Sequence, residues 1–574
     1  MCKRWSNESE LWGWMLVRVL EECGLKQAVV SPGSRSTPLA WALAHSAIEA
    51  IPILDERSAA FYALGLARRG GGPVALVCTS GTAAANYLPA LVEARESGVP
   101  LLVLTADRPP ELRRCAAGQT VDQVKMYGSA ALDYFELPVP EAKATVLRHA
   151  RQIVTHALRR TMLPCRGPVH VNVPLREPLA PQPGKALDLD YDPTLLVESL
   201  APVGGHLPLP RFENLSLPVD PAKVLIVAGS VMPDDDTAAR TTLFALAERT
   251  QAPVLCDGLG PWRCGDFPGV ARIAGYDLIL SSPRMRESLM PDYIIQVGPL
   301  PTSKALRGWL AALDCPTLVA TSGIDDPDAA RAKAQLVQIA PEDLANLPLP
   351  TAANGAAYRA TWLDAEAKTT AIVNAALQEA HPNFEGNIAR VLFSSAQTGA
   401  DVSVANSMSV RDVETCRELG GANVRTFFSR GANGIDGTLA TALGASHGGH
   451  GILLTGDLAL LHDCGSLLSA HRHKGSLTVV LSDNRGGGIF ETLPVAKLGD
   501  PAFETYFATP QEADFAALAR AFGAEYEKLE SPAALAEKLR ILPESGLHLL
   551  HLKTDRKKDA DFRYKLRCRV AEIL

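Results

Sequence analysis

Several things are missing from this chain of 574 residues. No apolar run approaches the ~20 residues that cross a bilayer, which excludes membrane insertion by a hydrophobic helix. The opening stretch, MCKRWSNESELWGWMLVRVLEECG, places Glu8, Glu10, Glu21 and Glu22 where a secretory signal would need unbroken apolar residues. There is no long basic run. Lys+Arg 56 against Asp+Glu 63 gives a formal net charge of −7, a poor match for nucleic acid or an anionic membrane surface. The eleven cysteines are scattered without a C-x-x-C pair, so neither a disulfide framework nor a zinc site is indicated. Reduced thiols in a cytoplasmic protein are the expectation. Low-complexity segments and short repeats are absent too. With 47% hydrophobic and 21% charged residues, the composition excludes wholesale disorder, collagen and coiled coil. At ~150 residues per domain the length suggests three or four domains.

What is present is an alternation of strand and helix signals. Residues 8–22 put Trp12, Met15, Leu16, Val19 and Leu20 on one helical face, with Asn7 as the cap three positions before Glu10. Short apolar runs follow at Ala28–Val30, Ile51–Leu54, Val74–Cys78, Leu101–Thr105 and Val169–Val173. All but the last lead into a polar or Gly-rich turn and then a helix-like stretch, the rhythm of a parallel sheet covered on both faces. Prolines at 174, 178, 181, 183, 202, 208 and 210 then mark a linker. A second series of strands is predicted at Val224–Ala228, Val254–Cys256, Ile279–Leu280, Ile294–Val297 and Leu318–Ala320. LPLPTAANG (347–355) is a second break, followed by a helix around 357–380 and strands at Val402–Ala405, Ile452–Thr455 and Leu477–Leu481. The expected fold is α/β, with three doubly wound parallel-sheet domains over residues 1–185, 186–350 and 351–574.

Residues 452–490, ILLTGDLALLHDCGSLLSAHRHKGSLTVVLSDNRGGGIF, carry the most chemistry. Asp457 and Asn484 stand 27 positions apart, each just past the carboxyl end of a predicted strand. Open α/β sheets bind ligands there. A carboxylate, an amide oxygen and a turn carbonyl suit a hard cation such as Mg²⁺, which usually also bridges to phosphate. Gly486, Gly487 and Gly488 would let the backbone approach a diphosphate. Gly-Asp and Asn-x-Gly are also ordinary turn residues, so the pattern alone leaves both readings open.

The spacing, Gly-Asp followed after just under thirty residues by Asn, resembles the motif of thiamine diphosphate-dependent enzymes. Carried over, it makes Asp457 and Asn484 side-chain ligands of Mg²⁺ (or Mn²⁺) and Gly486 a carbonyl ligand. Such enzymes also need a glutamate against the cofactor's aminopyrimidine, after a strand of the other α/β domain. IPILDERSAAFYALGLARRGG supplies Glu56, although Asp55 and Glu56 equally suit a helix N-terminus. SPGSRSTPLA (31–40), DERSAAFYALGLA (55–67), TSGTAAANYLPALVEA (79–94), TADRPPELR (105–113), NSMSVRD (406–412), SRGANGIDG (429–437), GDLALLHD (456–463) and GGGIF (486–490) are similar to the MenD family, the 2-succinyl-5-enolpyruvyl-6-hydroxy-3-cyclohexene-1-carboxylate synthases.

That resemblance implies a carboligase of menaquinone and phylloquinone biosynthesis. The cofactor would attack 2-oxoglutarate, CO₂ would leave, and the succinyl carbanion equivalent would add in a 1,4 sense to isochorismate. Cofactor contacts are implied for Glu56, Thr79, Ser80, Gly81, Gly434, Ile435, Gly456, Asp457, Leu458, Asn484, Gly487 and Ile489. Both substrates are dicarboxylates, so arginine forks are expected around them. Ser34, Arg35, Arg108, Gln119, Ser407, Arg411 and Arg430 are the implied contacts, with Lys304 of VGPLPTSKALR a further candidate. An arbitrary Arg is mostly at the surface, and Ile489 and Phe490, implied as pocket walls, would serve equally as core.

Some positions depart from the family pattern. Asp483-Asn484-Arg485 stands where relatives often have three Asn, Ala305 follows Lys304 in place of a second basic residue, and Gly118 precedes Gln119 where some have Asn. The resemblance makes the middle domain a nucleotide-type fold. VLIVAGSV (224–231) lacks G-x-G-x-x-G, and no FAD is expected. The basic C-terminal TDRKKDADFRYKLRCRV is read as a solvated helix face, not a nucleic-acid arm. A homodimer or homotetramer is implied, with each cofactor between the first domain of one subunit and the third of another. The neighbouring alternatives are a 2-oxo acid decarboxylase or acetolactate-type synthase, which would need fewer arginines, and a non-enzymatic scaffold, which would not need Glu56, Asp457 and Asn484.

Overall fold

A computed structural model describes residues 5–198, 200–204, 215, 221–231, 236–323, 327–330, 333–349 and 355–574. Its strands form three six-stranded, all-parallel sheets. The fold class is α/β, as the apolar runs and intervening helices predict. The described residues pack into two compact units. One comprises residues 1–206, 429–445 and 463–469; the other comprises 207–428, 446–462 and 470–574.

The first unit opens with the predicted helix, Glu8–Glu22, whose cap Asn7 accepts from the Glu10 N–H at 2.9 Å. Trp12, Met15, Leu16, Val19 and Leu20 are all buried. The sheet contains β1 (Gln27–Val30), β2 (Glu49–Pro52), β3 (Val74–Cys78), β4 (Leu101–Asp107), β5 (Asp133–Glu136) and β6 (Pro168–Pro174), in the order β2-β1-β3-β4-β6-β5. β3, β4 and β6 are buried along their whole length, as strands covered on both faces must be. Helix Glu56–Gly70 packs against helix Thr438–Ala445 through small residues. A Cβ on Gly65 would lie 2.1 Å from the Thr441 carbonyl oxygen, and one on Gly444 2.0 Å from that of Tyr62.

The second unit holds two sheets. β7 (Val224–Ala228), β8 (Val254–Cys256), β9 (Arg272–Ile273), β10 (Tyr293–Val297), β11 (Pro316–Thr321) and β12 (Lys333–Gln338) run β12-β11-β10-β7-β8-β9. Read from the other edge, this is the dinucleotide-fold order 3-2-1-4-5-6, without the glycine fingerprint. β13 (Asp401–Val404), β14 (Arg425–Phe428), β15 (Gly449–Gly456), β16 (Gly475–Asp483), β17 (Glu525–Leu529) and β18 (Gly546–Lys553) run β14-β13-β15-β16-β18-β17, the connectivity of the first sheet repeated.

Some expectations need correction. Ile279–Leu280 is not a strand. Tyr276–Ile279 is a short buried helix that begins after Gly275 and ends at Leu280, and a brief apolar run does not tell the two apart. The strand expected at Ile51–Leu54 runs Glu49–Pro52, and Leu54 is 67% exposed. The C-terminal helix, Arg556–Ile573, is solvated on one side only. Asp559, Leu566 and Val570 are buried, and Arg563 is ion-paired with Glu385 and Asp412. Pro208, Pro210 and residues 350–354 of the second break lie outside the described residues. Ten described cysteines are free thiols. Among the described residues no helix is long and apolar enough to cross a membrane.

Candidate active site

In the first sheet the chain passes from β1 to β2 on one side and returns to β3 on the other, so a crevice opens beyond the carboxyl ends of β1 and β3. The turns after these strands meet there. A Cβ on Gly33 would lie 2.3 Å from the Thr79 Cβ, and the Arg35 N–H donates to Thr79 Oγ1 at 3.2 Å. Gly81 takes φ +89° and donates its N–H to Gln123 Oε1 at 3.0 Å. Gln119 Nε2 donates to the Ser80 carbonyl at 2.9 Å, and the Arg108 guanidinium donates to Ser80 Oγ. Arg35 is buried; its Nη1 reaches the Leu175 carbonyl at 3.0 Å, while Nε has no hydrogen-bond partner. Burial, and then the positive charge of Arg108, lower the Arg35 pKa. Two neighbouring guanidiniums, one with an unused buried donor, suit an anion. The fold thus brings Ser34, Arg35, Thr79, Ser80, Gly81, Arg108 and Gln119 to one edge.

Glu56 begins helix Glu56–Gly70, but Asp55 provides the cap, accepting from the Ser58 N–H at 3.1 Å. Glu56 is therefore not needed for capping. Its carboxyl pKa is raised, first by burial, with the neighbouring Asp55 adding to it.

Arg430, Gly434 and Ile435 lie in the segment 429–445 of the same unit. The turn bearing Arg430 is clamped by a pair the motifs did not single out. Glu93, ion-paired with buried Arg68 at 2.6 Å, accepts from the N–H of Gly431 at 3.1 Å and of Ala432 at 2.7 Å. Arg68 also donates to Ser429 Oγ at 2.9 Å. Only chain folding brings residue 93 to residue 431, so no local pattern could have pointed to it.

In the second unit the equivalent crevice lies beyond β13 and β15. Ser407 follows β13 with φ +66° and ψ −125°, a sparsely populated backbone conformation that costs a non-glycine residue ~1–3 kcal/mol. One turn into helix Met408–Cys416, Arg411 Nη1 donates to the Ser407 carbonyl at 2.5 Å. Burial lowers the Arg411 pKa, with Arg307 a nearby cation adding to the effect. No sequence motif marks Arg307. It shares helix Lys304–Ala312 with Lys304, which is exposed at the first position.

The metal motif assembles at the ends of β15 and β16. Asp457 Oδ2 accepts from the Gly486 N–H at 2.8 Å, and burial followed by the nearby Asp483 push the Asp457 carboxyl up to about 7. Asn484 is buried, and its Oδ1 has no hydrogen-bond partner. Gly486 adopts φ +136°, and a Cβ there would lie 2.4 Å from the Ala508 carbonyl oxygen. On Gly487 it would meet the Phe490 ring at 2.5 Å, and on Gly488 the Asn484 Nδ2 at 2.8 Å. These observations fit a divalent cation. Asn484 presents an orphaned buried oxygen, the Asp457 carboxyl lies in a site whose electrostatics a cation would reverse, and the loop closes on itself without side chains. No group of three or more His, Cys, Asp or Glu side chains is placed to hold a metal among the described residues, so a metal here needs the mixed set of carboxylate, amide and carbonyl. Gly456 and Leu458 flank Asp457 half-buried. Ile489 and Phe490 are also half-buried, unlike core residues, and the Phe490 ring lies 5.9 Å from that of Phe507.

Residues 13–126 match the thiamine pyrophosphate enzyme N-terminal TPP binding domain, and residues 418–552 match the C-terminal TPP binding domain. A 2-succinyl-5-enolpyruvyl-6-hydroxy-3-cyclohexene-1-carboxylate synthase of Microcystis aeruginosa is 43% identical over 96% of this chain and 97% of its own length. Those of Trichodesmium erythraeum and Synechococcus elongatus are each 42% identical, over 96% and 99% of this chain and 97% of their own lengths. The chain belongs to the 2-succinyl-5-enolpyruvyl-6-hydroxy-3-cyclohexene-1-carboxylate synthase family. It is a thiamine diphosphate-dependent enzyme, for which Mg²⁺ is the usual ion. The N-terminal match contains Arg35, Glu56, Thr79 and Arg108, and the C-terminal match contains Asp457, Asn484 and Gly486. Family membership thus covers both halves of the chemistry that the motifs outlined.

Proposed function

We propose that this chain catalyses the reaction for which its relatives are named: decarboxylation of 2-oxoglutarate and 1,4-addition of the succinyl unit to isochorismate, in menaquinone or phylloquinone biosynthesis. The observation that carries this is identity of 42–43% along nearly the whole chain with those relatives, with Glu56, Asp457, Asn484 and Gly486 all in place. Thiamine diphosphate, when bound, supplies the electron sink that lets CO₂ leave and the new carbon–carbon bond form. Asp457 and Asn484 hold Mg²⁺, or Mn²⁺ in its place, through side-chain oxygens, and Gly486 through its carbonyl. Thr79, Ser80, Gly81, Gly434, Ile435, Gly456, Leu458, Gly487 and Ile489 seat the cofactor. Glu56 holds and yields a proton at its carboxyl oxygens, and burial, which raises its pKa, favours the protonated form in that exchange. Arg35, Arg108, Arg411 and Arg430 bind substrate carboxylates, with Lys304 adding charge. Ser34, Gln119 and Ser407 orient hydroxyl and carboxyl groups. Ile489 and Phe490 keep water from the reacting carbons, where a dry pocket favours loss of a carboxylate.

The proposed domains are residues 1–185, 186–350 and 351–574; each interval contains one complete sheet. The middle one is proposed to carry no FAD. We place the enzyme in the cytoplasm as a homodimer or homotetramer, in which Glu56 of one copy serves the metal site of another. The first test is an omission assay with thiamine diphosphate, Mg²⁺, 2-oxoglutarate and isochorismate, following isochorismate loss and product mass. Product should form only with all four present, and Glu56→Gln should lower the rate at least ~100-fold, within the range for loss of an acid–base group. Loss of CO₂ with isochorismate untouched would overturn the acceptor. For the oligomer, inactive Glu56→Ala and Asp457→Ala chains refolded together should regain part of the activity. No recovery in confirmed heterodimers would exclude a shared site.

A further inference from the structure

Asn484 is proposed above as a metal ligand through Oδ1, and the inference below rests on that reading. An asparagine side chain is pseudo-symmetric. Turned by 180° it offers a metal two N–H donors instead of an oxygen, so some group must choose the orientation. The sequence motif names none.

In this fold the neighbour is Glu385, the first residue of helix Glu385–Ser395 and nearly a hundred positions away in the chain. Its Oε1 lies 2.6 Å from Asn484 Nδ2. A carboxylate only accepts, so the atom facing it must be the amide nitrogen, and Oδ1 is left on the other side, buried and without a partner. Glu385 is itself held. Its Oε2 takes Arg563 Nη2 at 2.6 Å, and Arg563 also grips Asp412 at 2.8 and 2.9 Å. Asp559 Oδ2 accepts from the Glu385 N–H at 3.3 Å. Thr554 Oγ1 also donates to Oε1 at 3.4 Å, and Glu385 is 5% exposed.

We propose that Glu385 is a positioning residue for the metal. It fixes the amide of Asn484 with its oxygen toward the cation, and Arg563 fixes Glu385. The same guanidinium holds Asp412, which adjoins Arg411, so one interior cation anchors both the metal ligand and the helix bearing a proposed substrate arginine.

The polarity of this chain of contacts makes it testable. In Glu385→Gln, Arg563 only donates and therefore captures the oxygen of the introduced amide. The amide N–H₂ is left facing Asn484, whose oxygen turns toward it and away from the metal. Asn484→Asp keeps a metal-binding oxygen but sets a carboxylate against Glu385. Combining the two restores a donor opposite an acceptor, with its direction reversed.

The measurement is Mn²⁺ affinity of the purified full-length protein in saturating thiamine diphosphate, by electron paramagnetic resonance of free and bound ion, with thermal unfolding of each apo variant as the folding control. Glu385→Gln should weaken Mn²⁺ binding ~10–100-fold, the range for outer-shell partners of a metal ligand. Asn484→Asp should also weaken it, and the double variant should bind at least ~5-fold more tightly than Asn484→Asp alone, a coupling that a merely structural role would not produce. Parent-like affinity in Glu385→Gln, or no recovery in the double variant, would overturn the positioning role while leaving Asn484 as ligand. Parent-like affinity in Asn484→Ala would overturn the ligand itself, and the inference with it.

Discussion

At the scale of single residues, the loop proposed to hold the metal shows why glycine stands where it does. Gly486 sits at φ +136°, a region in which L side chains are strained, and a Cβ would also meet the Ala508 carbonyl oxygen at 2.4 Å. Backbone strain and collision act together on the residue whose N–H bonds Asp457. Gly486→Ala should therefore lower the melting temperature of the apo protein and also abolish the rise in Tm produced by thiamine diphosphate with Mg²⁺. A ligand that no longer binds the native state no longer stabilises it. Calorimetry with and without the two ligands checks this; an undiminished rise would mean that the loop adapts and that Gly486 is dispensable. Arg485, a departure from the family pattern, is exposed, and its guanidinium lies 3.9 Å from the exposed Glu512.

At the scale of elements, the contact between helices Glu56–Gly70 and Thr438–Ala445 depends on having no side chains at its crossing. In an isolated helix, Gly→Ala stabilises by roughly 0.5–1 kcal/mol. At Gly65 the same change drives a methyl to 2.1 Å from the Thr441 carbonyl oxygen and 2.7 Å from the Ala445 nitrogen, and both obstacles are backbone. Overpacking of this kind costs typically ~1–3 kcal/mol, so Gly65→Ala should lower stability and not raise it. A urea titration gives the sign directly, and a higher midpoint would show that the helices can separate cheaply. The helix that begins at Glu56 is one of these two, so the position of the proposed acid depends on the same packing.

At the scale of the whole molecule, buried charge couples folding to pH. Burial, followed by the nearby negative Glu385, pushes the Asp559 carboxyl up to about 9. In the unfolded chain an aspartate titrates near 3.9. Between those values the native state holds a proton that the unfolded state has released, so stability falls as pH rises through the window, by at most ~1.4 kcal/mol per pH unit. Asp559→Asn keeps the neutral shape and removes the titration. Its melting temperature relative to the parent should therefore climb from pH 5 to pH 8.5. A constant difference would mean that Asp559 is already ionised in the native protein and paired with His381, whose Nε2 lies 2.5 Å from its Oδ1.

Local pattern alone determined a good deal of this protein. Asn7 and the apolar stripe specified the first helix, because capping and 3.6-residue periodicity are properties of a few consecutive residues. Unbroken apolar runs marked β3, β7, β8 and the first four residues of β4, because strands covered on both faces are largely apolar. The pairing of Asp457 with Asn484 was legible because both sit at strand ends, within one strand–helix–strand unit. Ile279–Leu280 was misread for the converse reason, since a short buried run satisfies helix and strand alike. β18 escaped because its histidines interrupt the apolar run, although His551 is satisfied by Asp483 at 3.0 Å once folded. Only the tertiary structure decided the supporting cast. Glu93 meets the turn at Gly431, and Glu385 meets Asn484, across separations no motif spans. A hydrogen bond of 2.6 Å between residues 99 positions apart is set by how whole elements pack, and the chain records that packing nowhere in its local order.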